Sequence, residues 1–473
     1  MSVESNNATP PTFGIAPGRE TLEPRAFAKA LGLRSQGPID PRIPALMPGF
    51  DAPFFQAGLA GYSDAAMRII ARRHGCPMCV TEALLDRTLL AGGRGFAKAD
   101  LGELHDNIPG GPEDHPLTGQ IMGSDPREMA AGALKMVEQR ARSEKTYRTL
   151  AYAVDGVLPS THLSSRLHLP GGEQLAAFDV TEGLGDAGSC GDADFGSCDP
   201  LDQEPDGAVE PSAIPERTGA TGRAQASFQA IDVNLACPVK KIEKKARGGH
   251  WLTEPTGAIA ILEAVREALP AEVVCTLKIR RSFDDTPEMA ENFDHIIDAA
   301  FRIGYAWATV HGRTVVQKYI GPSRWDILRT IVAKQRAIDD SRLVFGSGDV
   351  WSADEIFRML EYTGVAAVSV ARGCIGNPWI FRQARQMLRG EAPAAPSLAE
   401  QRAVLEDHYR LLLAVCRPMR DGEDAASKMI RKFGIRFAQH HPDSDRVRLE
   451  IIRVDSAAAW AAVLERWYAE PQG

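Results

Sequence analysis

Ile231-Asp232-Val233-Asn234-Leu235-Ala236-Cys237-Pro238-Val239-Lys240-Lys241 is a strand running into a loop. Ile231 and Val233 are β-branched and apolar, and Asp232 and Asn234 alternate with them, which is the period of a strand. Pro238 ends any ladder because it has no N–H to donate. Cys237 therefore stands where a strand opens. Lys240, Lys241, Lys244, Lys245 and Arg247 follow, and Gly248-Gly249 close the run. Cations near a thiol favour its thiolate, which suits nucleophilic or proton-transfer work. A buried thiol beside a solvated basic loop is the plain alternative; the Asn, the Pro and the basic run favour chemistry.

Working outward, strand signals alternate with helix signals. Strands are expected at Phe54–Leu59, Met78–Glu82, Leu117–Gly123, Phe228–Asn234, Val273–Ile279, Ala306–His311, Leu343–Phe345 and Val365–Val370, most with a helical pattern behind them. Eight such units predict a closed α/β TIM barrel, (β/α)8. Polar residues gather where the strands end: Gln120, Asn234, Cys237, Lys278, His311, Asp349 and Arg372. The strand C-termini carry the active site in this architecture. Any one of these residues could be a satisfied structural group; seven at equivalent places point to a site. The loops Gly346-Ser347-Gly348-Asp349 and Ala371-Arg372-Gly373 fall after strands seven and eight, the usual phosphate position.

The chain has 473 residues, 44% of them hydrophobic, enough for a barrel with an appended domain. Residues 1–48 are expected to be a leader with little periodicity, 49–390 the barrel, and 391–473 a C-terminal helical domain with helices near Glu400–Val415, Asp424–His440 and Asp455–Tyr468. A long insertion, about 143–227, falls between the third and fourth barrel units and reads as partly disordered. Its core, from Leu167 to Glu216, holds twelve acidic residues and no Lys or Arg. Without those twelve charges the balance of −8 becomes +4, a distribution compatible with a polyanionic partner. No apolar run is long enough for a membrane span, and the N-terminus lacks a signal-peptide core, so a cytoplasmic location is expected. Eight scattered cysteines do not form a disulfide framework. Cys76-Pro77-Met78-Cys79 reads as two ordinary thiols at a strand start, with metal binding a minor option.

Several blocks together resemble the tRNA-dihydrouridine synthase family, nearer its bacterial branches. They are Asp232 to Pro238, Thr276-Leu277-Lys278-Ile279-Arg280, Val310-His311-Gly312-Arg313 and Asn377-Pro378-Trp379-Ile380-Phe381. The similarity runs from about Gln56 to Phe381, interrupted by the insertion. It continues more weakly through the helices, where Met429-Ile430-Arg431-Lys432 is similar to the family's helical domain.

The resemblance implies an FMN enzyme that reduces a uridine of tRNA to 5,6-dihydrouridine, with NADPH as hydride donor. It puts the catalytic cysteine at Cys237. Its flavin contacts fall on the Gly58-Leu59-Ala60 backbone, Gln120, Lys278, His311, Ser347-Gly348-Asp349 and Ala371-Arg372, with Asn234 beside flavin and target base. Lys240 and Lys241 in the basic loop, and Arg431 and Lys432 on the helices, are the expected tRNA contacts. No metal and no obligate protein partner are implied. Five positions depart from the family pattern. Gly58-Leu59 stand for Pro-Met, Ala236 for Gly, Ser347 for Asn, and Ala371 for Gly. Two other functions remain open at this stage: an FMN barrel reductase of a small molecule, in the manner of dihydroorotate dehydrogenases, and a non-catalytic RNA-binding barrel.

Overall fold

A computed structural model describes residues 22–86, 89, 112–138, 228–238, 247–416 and 422–469. The insertion, Cys190, Cys198, Lys240 and Lys241 lie outside the described residues.

The strands are β1 Phe54–Gln56, β2 Cys79–Val80, β3 Leu84–Leu85, β4 Leu117–Met122, β5 Ala230–Leu235, β6 Val274–Arg280, β7 Trp307–His311, β8 Leu343–Ser347 and β9 Val368–Val370. All their pairings are parallel, and β1 pairs with both β2 and β9, which closes the sheet. The barrel has eight staves although there are nine strands. β2 and β3 both pair with β4, through Cys79↔Leu117 and Val80↔Thr118 and then Leu84↔Ile121 and Leu85↔Met122. They are one stave broken at 81–83. At the break the Thr81 hydroxyl accepts the Gln120 N–H at 3.0 Å, replacing the missing ladder bond.

Helices follow the strands at α3 Ala65–Arg73, α4 Pro126–Glu138, α5 Pro255–Ala268, α6 Pro287–Ile303, α7 Trp325–Ile338, α8 Ala353–Thr363 and α9 Trp379–Leu388. Local chemistry sets their ends. Asp125 Oδ1 accepts the N–H groups of Arg127 and Glu128 at the start of α4. Ser352 and Glu355 form a capping box on α8, and Gly364 ends it in the left-handed region at φ 74°.

The expected leader is corrected in its described part. Residues 22–50 include α1 Pro24–Gly32 and α2 Arg42–Leu46. α1 packs on α8 and α9. Ile39, Ile43, Met47 and Phe50, at near-helical spacing, plug the N-terminal end of the barrel against Phe55, Met78, Trp307 and Phe345. The Phe50 ring meets the Phe55, Trp307 and Phe345 rings edge-on at 5.7–6.2 Å, and Trp307 stacks on Phe345 at 5.0 Å. A barrel floor is apolar and needs a cover; this segment supplies it.

Among the described residues, the C-terminal region has four helices where three were expected: α10 Leu398–Cys416, α11 Gly422–Phe437, α12 Ser444–Ile451 and α13 Ala457–Trp467. α12 is short and was hidden because its only buried side chains are Val447 and Ile451, one turn apart. α10 packs on α3 and α11, which joins this region to the side of the barrel.

Phe50 is fully buried. Phe50→Ala is expected to cost about 3–5 kcal/mol of unfolding free energy in urea, the usual loss for emptying an aromatic site. A loss under ~1 kcal/mol would show that the segment is not part of the barrel core.

Candidate active site

Register decides which strand-end residues meet. Gln120 stands opposite Asp232, Asp232 opposite Thr276, Asn234 opposite Lys278, and Arg280 opposite His311. His311 in turn stands opposite Ser347. The polar groups thus line successive rows toward the C-terminal mouth.

Side chains of these rows are linked. Asn234 Nδ2 donates to Gln120 Oε1 at 2.8 Å, and Gln120 Nε2 donates to Asp232 Oδ2 at 2.7 Å. The Thr276 hydroxyl donates to Asp232 Oδ1 at 2.6 Å. Each amide orientation is dictated by the next group, so the chain has one consistent arrangement. Burial pushes the Asp232 carboxyl up, and the Thr276 and Gln120 donors and the Lys278 charge pull it back.

Lys278 lines a small pocket together with Gly58, Gln120, Asp232 and Trp307. Burial lowers its ammonium to about 8, opposed by the Asp232 charge and helped by Arg280. The amine is therefore still largely protonated at pH 7. His311 is pushed well below its ordinary value, first by burial and then by Arg280, Lys278, Arg313 and Arg372, so its imidazole is neutral. Its Nδ1 lies 3.5 Å from Ser347 Oγ, and its buried Nε2 has no hydrogen-bond partner.

The peptide ahead of Cys237 is held on both sides. Asn234 Oδ1 accepts the Ala236 N–H at 2.9 Å, and Arg280 Nε donates to the Ala236 carbonyl at 2.9 Å. The Cys237 carbonyl accepts the Gly249 N–H at 3.0 Å. Gly248 has φ 56° and passes so close that a Cβ on it would lie 2.9 Å from the Cys237 Cβ. Thus the glycines after the basic run close the loop beneath the thiol.

The phosphate-type loops are also built, with one residue in an unexpected role. Gly348 has φ 114°, and Asp349, not a glycine, has φ 54°. The Asp349 carboxylate accepts Arg313 Nη2 at 2.8 and 2.7 Å and the Ser323 N–H at 2.7 Å, so it shapes the loop. Arg372 lies 3.5 Å from Asp349 and over the rings of Tyr319 and Trp351 at 5.0 and 4.8 Å. Ala371 has φ −102°, and neither it nor Ala236 is among the positive-φ residues, so neither departure strains the backbone. A Cβ on Gly58 would come within 2.2 Å of the Thr81 carbonyl. The loop after β1 therefore sits where the family's usual Pro would clash. Leu59 and Ala60 continue this loop.

Of the remaining expected site residues, Arg431 and Lys432 lie on α11. Lys432 turns to the barrel: its ammonium donates to the Gly61 carbonyl and lies 3.6 Å from Asp64. Asp232, Thr276, Arg280 and Arg313 were not singled out from sequence. Alternation in β5 and β6 was the available signal, because Asp232 shares a face with Asn234 and Arg280 with Lys278. Cys76 and Cys79 are buried with sulfurs 3.9 Å apart, and among the described residues no cluster of His, Cys, Asp or Glu could hold a metal.

The described residues thus form a closed parallel barrel whose C-terminal mouth carries several cations, a linked amide–carboxylate chain and the cysteine at its rim. The model of the dihydrouridine synthase (Dus) family matches residues 217–453. A probable tRNA-dihydrouridine synthase of Treponema pallidum is 33% identical over 237 residues, covering 50% of this chain and 67% of that protein. The tRNA-dihydrouridine synthase B of Pseudomonas putida is 32% identical over 252 residues, covering 53% and 70%. That of Shewanella oneidensis is 33% identical over 248 residues, covering 51% and 70%. The chain belongs to the dihydrouridine synthase family.

The Lys278 amine should titrate near its lowered value. As pH rises through about 8 it loses its proton, so competitive labelling with acetic anhydride should show reactivity rising with a midpoint near 8. Exposed lysines titrate near about 10.4. A midpoint shared with them would mean that the pocket does not desolvate the amine.

Proposed function

We propose that this protein reduces a uridine of tRNA to 5,6-dihydrouridine, with FMN as resident cofactor, NADPH as hydride source and Cys237 as proton donor. The observation that carries this reading is the double anchoring of Ala236 by Asn234 and Arg280, which holds a cysteine at the barrel rim beside the Lys278 pocket. Membership of the dihydrouridine synthase family supports the reaction class.

The residues present fit FMN. The partnerless His311 Nε2 and the Lys278 ammonium are groups suited to the polar edge of a planar ring system, beside a Gln120 amide fixed by Asp232 and Asn234. The Gly58-Leu59-Ala60 backbone would lie along the ring. The Ser347-Gly348-Asp349 and Ala371-Arg372 loops would hold the phosphate, Arg372 by charge and the glycine-bearing loop by backbone N–H groups. When bound, the flavin would supply the hydride that no side chain can provide.

The chain's own residues do the rest. Lys278, protonated at neutral pH, offsets negative charge developing in the pocket, where low dielectric magnifies its effect. Asn234, fixed through Gln120, orients the target base. Cys237 delivers a proton to C5 of the uracil from the rim. The base must leave its stack to reach this depth, at a cost of a few kcal/mol. Phosphate contacts from the basic loop and α11 would offset it.

In Cys237→Ala, FMN binding and its reduction by NADPH should persist, while single-turnover dihydrouridine formation on unmodified tRNA falls about 10²–10⁴-fold, the worth of a positioned general acid. Dihydrouridine formed at the wild-type rate by a flavin-loaded variant would remove the cysteine from the mechanism.

Reversing Lys240, Lys241 and Arg431 to Glu should weaken tRNA binding and leave FMN binding intact. Each lost phosphate contact should make the plot of log affinity against log salt shallower by about 0.7–0.9. Identical affinity and slope in the reversed protein would exclude these residues from the RNA interface.

A further inference from the structure

The loop after β1, from Gly58 to Ser63, is held from both sides. Inside, the Ser63 hydroxyl accepts the Leu59 N–H at 2.6 Å, and Tyr62 N–H donates to the Leu59 carbonyl at 3.0 Å. On the barrel side, the loop rests on the break between β2 and β3, where a Cβ on Gly58 would come within 2.2 Å of the Thr81 carbonyl. The other side is closed by α11. Lys432 donates to the Gly61 carbonyl, lies 3.6 Å from Asp64 Oδ2, and sits over the rings of Tyr62 at 5.5 Å and Phe433 at 4.8 Å.

The acceptors around this ammonium are specific. Asp64 is 4% exposed; its Oδ1 caps α3 by accepting the Met67 N–H at 2.8 Å, and its Oδ2 has no hydrogen-bond partner. A buried carboxylate oxygen in that state needs a nearby cation, and Lys432 supplies the charge. An ammonium that donates to a carbonyl, lies beside a carboxylate and sits over two ring faces is engaged by the protein. It is poorly placed to neutralise an RNA phosphate.

We propose that Lys432 is a positioning residue for the loop after β1, pinning the flavin-side backbone to the helical region, and is not a contact of the RNA. The inference rests on the FMN reading of that loop. It reassigns a basic residue that its sequence neighbourhood groups with RNA contacts. The C-terminal region does not depend on this one cation for its attachment. Arg73 on α3 pairs with Asp407 on α10. Trp379 meets Phe437 and His440 edge-on at 5.5 and 5.0 Å, and Tyr62 meets Phe433 at 5.7 Å. Removing the charge should therefore loosen the loop without undocking the helices.

The test compares wild type, Lys432→Met and Asp64→Asn. Asp64→Asn keeps an oxygen for the Met67 cap and removes the charge that Lys432 faces. Amide hydrogen exchange is measured on the flavin-free full chain, FMN affinity by equilibrium titration, and affinity for unmodified tRNA transcript across a salt series. Both variants should exchange faster at residues 58–62 and bind FMN about tenfold more weakly, the scale of a lost charge-assisted hydrogen bond. Their salt slopes for tRNA should equal that of wild type. A slope shallower by about 0.7–0.9 in Lys432→Met would make Lys432 a phosphate contact and overturn the proposal. Unchanged exchange at 58–62 would overturn it whatever the slope. If wild type takes up no FMN, the cofactor reading fails by itself, and the exchange data still decide whether Lys432 holds the loop.

Discussion

One buried cation ties the C-terminal rim of the barrel together. Arg280, 3% exposed at the end of β6, donates to the carbonyls of Ala236, Thr314 and Lys318 at 2.9, 2.7 and 2.8 Å. These lie in the loops after β5 and β7. Burial lowers its guanidinium to about 10, and even so it remains charged at neutral pH. Three carbonyls converging on one planar donor set leave little freedom for either loop. The Cys237 backbone, the Lys318 turn at φ 50° and the Tyr319 ring stacked 5.6 Å from the guanidinium all follow from this arrangement.

The linked polar side chains extend the same logic across β4, β5 and β6. A carboxylate in a barrel interior is costly unless its lone pairs are used. Asp232 is accepted there because Gln120 and Thr276 donate to it, and because Lys278 lies close enough to balance its charge. Gln120 then has its oxygen free for Asn234, whose own oxygen fixes Ala236. Stability of the interior and geometry of the rim are thus one network, and a change at Asp232 reaches the thiol without touching it.

Departures from the family pattern find local compensation. Gly58 lets the first loop settle on the Thr81 carbonyl, where a side chain would collide. Ser347 places a hydroxyl near His311. Ala236 and Ala371 occupy backbone conformations outside the left-handed region, so a Cβ costs nothing there. Asp349 does occupy that region, and its strain is offset by Arg313 and the Ser323 amide.

Much of this protein was legible in the sequence because much of it is local. Two-residue alternation located the staves, and the polar residues at Gln120, Asn234, Lys278 and His311 fell at or near the C-terminal strand ends. The parallel (β/α) order followed from strand–helix alternation. Tertiary structure decided the rest. Ile39, Ile43, Met47 and Phe50 have a helical spacing, but only a closed barrel creates the apolar floor that they cover. Thr81 and Glu82 read as continuing strand, yet the Thr81 hydroxyl replaces a ladder bond. The partners of the Asp349 and Lys432 side chains were not legible, because a charge in a sequence carries no direction. The partner of a long side chain depends on which elements pack together: Arg313 reaches Asp349 across two loops, and Lys432 meets Gly61 and Asp64 only because α11 lies against the loop after β1.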